Sequence, residues 1–141
     1  MNYVKAFVAG FLSTLIFHQG VLGLFYLLGA VPRAPFAMAP VPPLGIPSVI
    51  SLAFWGGVWG LLLWRMIANA RRGAYWWRAL LIGAVGPSAV ALLVVFPLKG
   101  MPIAGGGDVK LIVGALILNG AWGLGVALLM RMLRPRSDVW I

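Results

Sequence analysis

Four long apolar runs divide the chain, and polar or turn-forming residues punctuate them. The first covers about 6–29 and follows Lys5. The second covers about 47–67, with Arg65 near its end, and the third about 79–98. The fourth covers about 109–130 and is followed by Arg131, Arg134 and Arg136. Crossing about 30 Å of hydrocarbon takes about 20 apolar residues in a helix. The pattern therefore predicts an all-α, four-helix transmembrane bundle in a single domain over residues 1–141. The first run is too long for a secretory h-region and lacks a cleavage site before a polar chain, so it reads as a retained helix.

The segments between the runs are informative. Six of the ten prolines fall between Pro32 and Pro47, and no charge occurs between Arg33 and Arg65. Proline removes a backbone donor and restricts its predecessor, so the loop at about 30–46 cannot be helical and should run extended. Its apolar side chains need a cover: the bilayer surface, the bundle itself or another protein. The later loop ends in Gly105-Gly106-Gly107 before Asp108. That order reads as a turn leading to an N-cap. It lacks the lysine and hydroxyl of a phosphate-cradling loop.

Charge sets an expected orientation. With four crossings, Lys5, Arg65, Arg71, Arg72, Arg78, Arg131, Arg134 and Arg136 share one side, against Arg33, Lys99 and Lys110 on the other. The positive-inside rule puts the first group, and both termini, in the cytoplasm. Tyr3, Trp64, Tyr75, Trp76, Trp77 and Trp140 fall on the same side, as an interfacial aromatic belt would. The seven arginines of that side form an expected collar for anionic lipid headgroups.

Composition narrows the chemistry. Hydrophobic residues make up 62% of the chain and charged ones 9%, and mean hydropathy is +1.02. A soluble domain carries about 25% charged residues. There is no cysteine and no glutamate, and the two aspartates lie outside the apolar runs. Thiol chemistry and a paired intramembrane carboxylate are excluded. A single histidine excludes bis-histidine haem and multi-histidine metal sites within one chain. The net charge of +9 flanks membrane spans and builds no hydrophilic domain, so a nucleic-acid partner is not expected.

A short repeat is visible. Gly57-Val58-Trp59-Gly60-Leu61 matches Gly120-Ala121-Trp122-Gly123-Leu124, and each is followed by an apolar stretch ending in Arg-Met. Leu27-Leu28 and Pro32 match Leu92-Leu93 and Pro97. Two tandem hairpins related by an axis along the membrane normal would give this pattern. They predict pseudo-twofold packing of the second and fourth helices. Gly56-xxx-Gly60, Ala121-xxx-Gly125, Ala6-xxx-Gly10 and Ala84-xxx-Ser88 are spacings that let membrane helices approach closely.

The strongly polar residues within the spans are His18, Gln19, Ser88 and Asn119, and they fall near mid-span. A polar group in hydrocarbon needs a partner. His18 and Asn119 are expected to hydrogen-bond across the first and fourth helices, with Pro87 freeing a carbonyl nearby. Four roles fit this layer. It can cross-link the bundle, or His18 can ligate a haem or chlorophyll-type pigment, with Thr14 one turn before it and Gly20 and Gly23 leaving space nearby. It can line a path for a neutral or anionic solute, or sense pH through His18. Apart from His18, no cofactor site is expected.

The stretch APFAMAPVPPLGIPSVISLAFWGGVWG, 34–60, resembles a motif in short four-helix integral membrane proteins of bacteria. The resemblance implies a multi-pass protein of the bacterial inner membrane and carries over no functional residue. Read together, these features point to a non-enzymatic accessory or assembly subunit of a larger membrane complex, with a homo-oligomer as the simpler assembly. A small channel or carrier and a pigment-associated subunit are the alternatives.

Overall fold

The computed structural model describes residues 2–133. Four helices are long and apolar enough to cross a membrane: α1 (Asn2–Leu27), α2 (Ser48–Ile67), α3 (Arg72–Leu98) and α4 (Val109–Leu133). They agree with the predicted runs except at the start of α3. That helix begins seven residues before the expected 79, so the link after α2 shrinks to residues 68–71. The polar stretch Arg72 to Arg78 hid this turn. The helix can start there because Tyr75 turns inward and its hydroxyl finds an acceptor, donating to the Ala127 carbonyl at 2.6 Å. Tyr75 and Trp64, 4% and 5% exposed, are therefore core residues and not part of the interfacial belt, and Trp140 lies outside the described residues.

Lys5 Nζ donates to the Leu133 carbonyl at 3.1 Å, so the described chain starts and finishes at the same end of the bundle. That end also carries Arg65, Arg71, Arg72, Arg78 and Arg131, and is called here the arginine end. The opposite, proline end holds the long loop. Arg134 and Arg136, also expected in the collar, lie outside the described residues.

Small residues line the helix crossings, larger ones such as Leu63, Ile67, Trp122 and Met130 fill the rest of the core, and many large apolar side chains also face outward. Ala6, Ala9, Ala53, Ala79 and Ala127 are buried, with Gly10, Gly60, Gly83 and Gly123 among them. Leu24, Trp55, Leu62, Leu81, Val85 and Ile117 are exposed. Water would not tolerate this arrangement; hydrocarbon does, because only close packing and polar contacts hold helices together there. The protein is a multi-pass membrane bundle.

The helices pair as two hairpins, α1 with α2 and α3 with α4. The two are built alike. A Cβ added at Gly60 would strike the Ala6 carbonyl and come within 3.0 Å of Gly10 Cα. One added at Gly123 would strike the Ala79 carbonyl and come within 3.0 Å of Gly83 Cα. Thus Ala6 and Gly10 correspond to Ala79 and Gly83, while Gly57, Trp59 and Gly60 correspond to Gly120, Trp122 and Gly123. This register replaces the sequence match of Leu27-Leu28 and Pro32 with Leu92-Leu93 and Pro97. The proline-end loop of the first hairpin is longer than that of the second, which displaces such an alignment.

The hairpins meet along α1 and α4, not along α2 and α4 as the repeat predicted. The second and fourth helices are related by the pseudo-axis but stand diagonally. Each tryptophan of the repeat crosses to the other hairpin. Trp122 Nε1 donates to the Gly10 carbonyl at 3.1 Å, and the Trp59 ring lies against Gly86, whose added Cβ would stand 3.2 Å from it. The α1–α4 seam is tight and the α2–α3 seam looser. Trp122 is 3% exposed, whereas Trp59 is only half-buried.

The proline-rich loop folds over the bundle. A two-residue antiparallel pair, β1 (Pro40–Val41) with β2 (Ile46–Pro47), closes its tip. Ser48 N–H donates to the Ala39 carbonyl at 2.9 Å and Val49 N–H to the Ala37 carbonyl at 2.8 Å. These bonds satisfy donors at the start of α2 that no side chain caps. The second loop ends as predicted. Gly105, Gly106 and Gly107 have φ of +62°, +70° and +80°, values that glycine adopts without strain. Asp108 Oδ1 then accepts the Lys110 N–H at 3.0 Å, an N-cap for α4.

Candidate functional site

The polar layer divides into three groups, each at its own place in the bundle. His18 and Asn119 do not bond to each other. Asn119 Nδ2 instead donates to Ser88 Oγ at 2.9 Å, across α3 and α4 within one hairpin. His18 pairs with its neighbour: Gln19 Nε2 lies 3.1 Å from His18 Nδ1. At 1.5 Å per residue, Gln19 stands about 13 Å from Gly10 and Ser88 about 7 Å from the equivalent Gly83. The two pairs are thus about one helical turn apart in depth.

The third group was not singled out from the sequence as a network. Ser13 Oγ donates to the Trp122 carbonyl at 2.6 Å and is fully buried. Thr14 Oγ1 donates to the Gly10 carbonyl at 2.9 Å, and the same oxygen receives Trp122 Nε1. Just beyond this point α1 widens into a π-helical turn over Thr14–His18. A comparable turn occurs in α3 over Ala91–Val95, after Pro87. The signal for Ser13 and Thr14 was their place in a run otherwise lined by alanine and glycine. Hydroxyls are weak polar markers in membrane helices, and backbone acceptors leave no trace in a sequence. No buried side-chain nitrogen or oxygen among the described residues lacks a hydrogen-bond partner.

Gln19 ties the layer to the loop. The Phe36 N–H donates to Gln19 Oε1 at 2.7 Å. A backbone N–H can only donate, so this contact fixes which amide atom is oxygen. The Gln19 NH2 then faces His18 Nδ1 and donates to it, which leaves the imidazole proton on Nε2. Ligation of a metal through Nε2 would need the other tautomer, with two donors facing each other at Nδ1, or a turned Gln19 that abandons Phe36. Gly20 has open space beside it, while Gly23 is covered by Pro35. Only half of the space anticipated around His18 is therefore present.

One prediction follows from this chain of contacts. Gln19→Leu should free the Phe36 amide and loosen the loop, while the four spans stay folded. Hydrogen exchange is expected to speed up at Phe36 and through residues 34–41, with little change in α4. Unchanged exchange at Phe36 would contradict the role given to Gln19.

At the arginine end, Arg65, Arg71, Arg72 and Arg78 are exposed and Arg131 is half-buried. The Arg131 guanidinium lies 5.9 Å from the Tyr75 ring centroid and 5.7 Å from that of Trp76, within cation–π range. Asp108, the one acidic side chain among the described residues, is at the opposite end. No family model, curated protein or solved structure matches the chain.

Proposed function

We propose that this protein is a non-enzymatic accessory or assembly subunit of a larger complex in the bacterial inner membrane, with both termini cytoplasmic. The observation that carries this reading is the proline-end loop. Beyond Arg33 it carries no charge and is held to the bundle by backbone hydrogen bonds, yet it presents Phe36, Met38 and Leu44 outward at 50%, 64% and 78% exposure. An ordered apolar surface of this kind is suited to contact with another protein, because its ordering cost is met before binding.

The interior favours a structural part over a chemical one. Its polar side chains are spent on one another and on backbone groups, and among the described residues no nucleophile–base pair is assembled. The mid-depth of the bundle is filled by Gly-to-Gly helix crossings and by Trp122, which speaks against a solute path through a single copy. The tautomer imposed on His18 weighs against a pigment ligand.

The test is a photo-crosslinking residue at Met38 or Leu44 in intact membranes, combined with purification in mild detergent. The expected result is a crosslink to one other integral membrane protein that also co-purifies at fixed stoichiometry. Crosslinks only to lipid or to further copies of this chain, with purification as a monomer or homo-oligomer, would overturn the subunit reading.

A further inference from the structure

The helices that the proline-rich loop touches fix its depth. Lys5 and Arg65, the charged residues of α1 and α2, each stand about 8 Å from the Gly10–Gly60 crossing toward the arginine end. A hydrocarbon layer of about 30 Å then ends about 22 Å from the crossing on the proline side. Gln19 stands only about 13 Å from the crossing, so its level is about 9 Å inside that boundary. Its amide oxygen accepts the Phe36 N–H at 2.7 Å. Helical side chains lean toward the helix N-terminus, which for α1 is the deeper direction.

The neighbouring contacts trace a dip. Pro35 lies over Gly23, about 20 Å from the crossing, with its ring 3.2 Å from an added Cβ. The Ala37 and Ala39 carbonyls accept the Val49 and Ser48 N–H groups, at about 16 and 18 Å. The chain descends from Pro35 to Phe36 and climbs again through Ala37 and Ala39. Phe36, at the lowest point, has φ of +58°, a left-handed conformation suited to a tight turn. Non-helical backbone at membrane depth needs its polar groups met by protein. Here the Phe36 N–H and the two alanine carbonyls are met, Pro35 has no N–H, and no charge occurs between Arg33 and Arg65.

We propose that residues 35–37 re-enter the bilayer and that Phe36 seats its ring among the acyl chains of the proline-side leaflet. The proposal is independent of the subunit reading, because Met38 and Leu44 stand nearer the loop tip and stay available to a partner.

The experiment places one cysteine in the full chain, by Phe36→Cys, Arg33→Cys or Lys99→Cys, and labels it with bimane. Each protein is reconstituted alone in phosphatidylcholine vesicles, so no partner can cover the loop. The quenchers are iodide on both vesicle faces and phosphatidylcholine brominated high on one acyl chain. The label at position 36 is expected to lose most of the iodide quenching seen at 33 and 99, and to be quenched by the brominated chains. Ala37→Cys, a smaller change at a neighbouring level, should behave as position 36 does. Iodide quenching at 36 and 37 equal to that at 33, or no quenching there by brominated chains, would overturn the proposal.

Discussion

Valine at Gly60 or at Gly123 is expected to destabilise the bundle by about 3 kcal/mol or more, the upper range for overpacking a close contact. The reason is what the new side chain meets. At Gly60 it would strike the Ala6 carbonyl and Gly10 Cα, and at Gly123 the Ala79 carbonyl and Gly83 Cα. These are backbone atoms of a paired helix, and they cannot rotate aside as a side chain would. The equivalence of the two crossings predicts similar costs at both positions. Gly20 and Gly114 supply the contrast, because neither has an atom within 4 Å of an added Cβ. Alanine there should be neutral or stabilising by about 0.5–1 kcal/mol, the usual helix preference of alanine over glycine. Unfolding by dodecyl sulfate in mixed micelles measures all four. A Gly60→Val protein as stable as Gly20→Ala would show that the crossing is misplaced.

Trp122→Ala is the second large effect, with an expected loss of about 3–5 kcal/mol, the range for a large buried aromatic. Trp122 fills the seam between the hairpins, and its Nε1–H reaches the Gly10 carbonyl. Trp122→Phe separates packing from hydrogen bonding. It should cost far less, since Thr14 still satisfies Gly10 and interhelical hydrogen bonds in membranes contribute about 0.6 kcal/mol on average. Trp59→Ala should fall between the two, because its indole sits in the looser seam and is only half-buried. The same denaturation assay ranks the three. A cost for Trp59→Ala equal to that for Trp122→Ala would remove the distinction between the seams.

The spans and their number were legible because hydrocarbon leaves little freedom: an uninterrupted apolar run must be a helix, and its length is fixed by the bilayer. The start of α3 was not legible. Arg72 to Arg78 looks like a polar link, and only the acceptor at Ala127 explains why Tyr75 turns inward. The Gly57–Leu61 repeat marked the right pair of helices but not their neighbours. Periodicity places a residue on a face without saying which helix that face meets. Ala6-xxx-Gly10 and Gly56-xxx-Gly60 were readable spacings and do contact each other. Their counterparts Ala79 and Gly83 have the same spacing inside the third run, but such spacings are common in membrane helices and the sequence does not mark which of them form a crossing. In the polar layer, the four strongly polar residues were found but their pairing was not. Asn119 takes Ser88 and His18 takes Gln19, choices made by backbone geometry within each hairpin. The link from Phe36 to Gln19 is longer-ranged still, and no local pattern announces it.

The central structural claim is that two like hairpins join along α1 and α4. A cysteine-free chain allows a direct test by paired cysteines in native membranes. A Cβ at position 125 would stand 2.7 Å from Phe17 Cγ. Phe17 Cβ, one bond further on, is then at most about 4.2 Å away, within the reach of a disulfide. Phe17→Cys with Gly125→Cys should form an intramolecular disulfide on mild oxidation, while Gly57→Cys with Gly120→Cys should form none. A bond between positions 57 and 120, with none between 17 and 125, would contradict the arrangement.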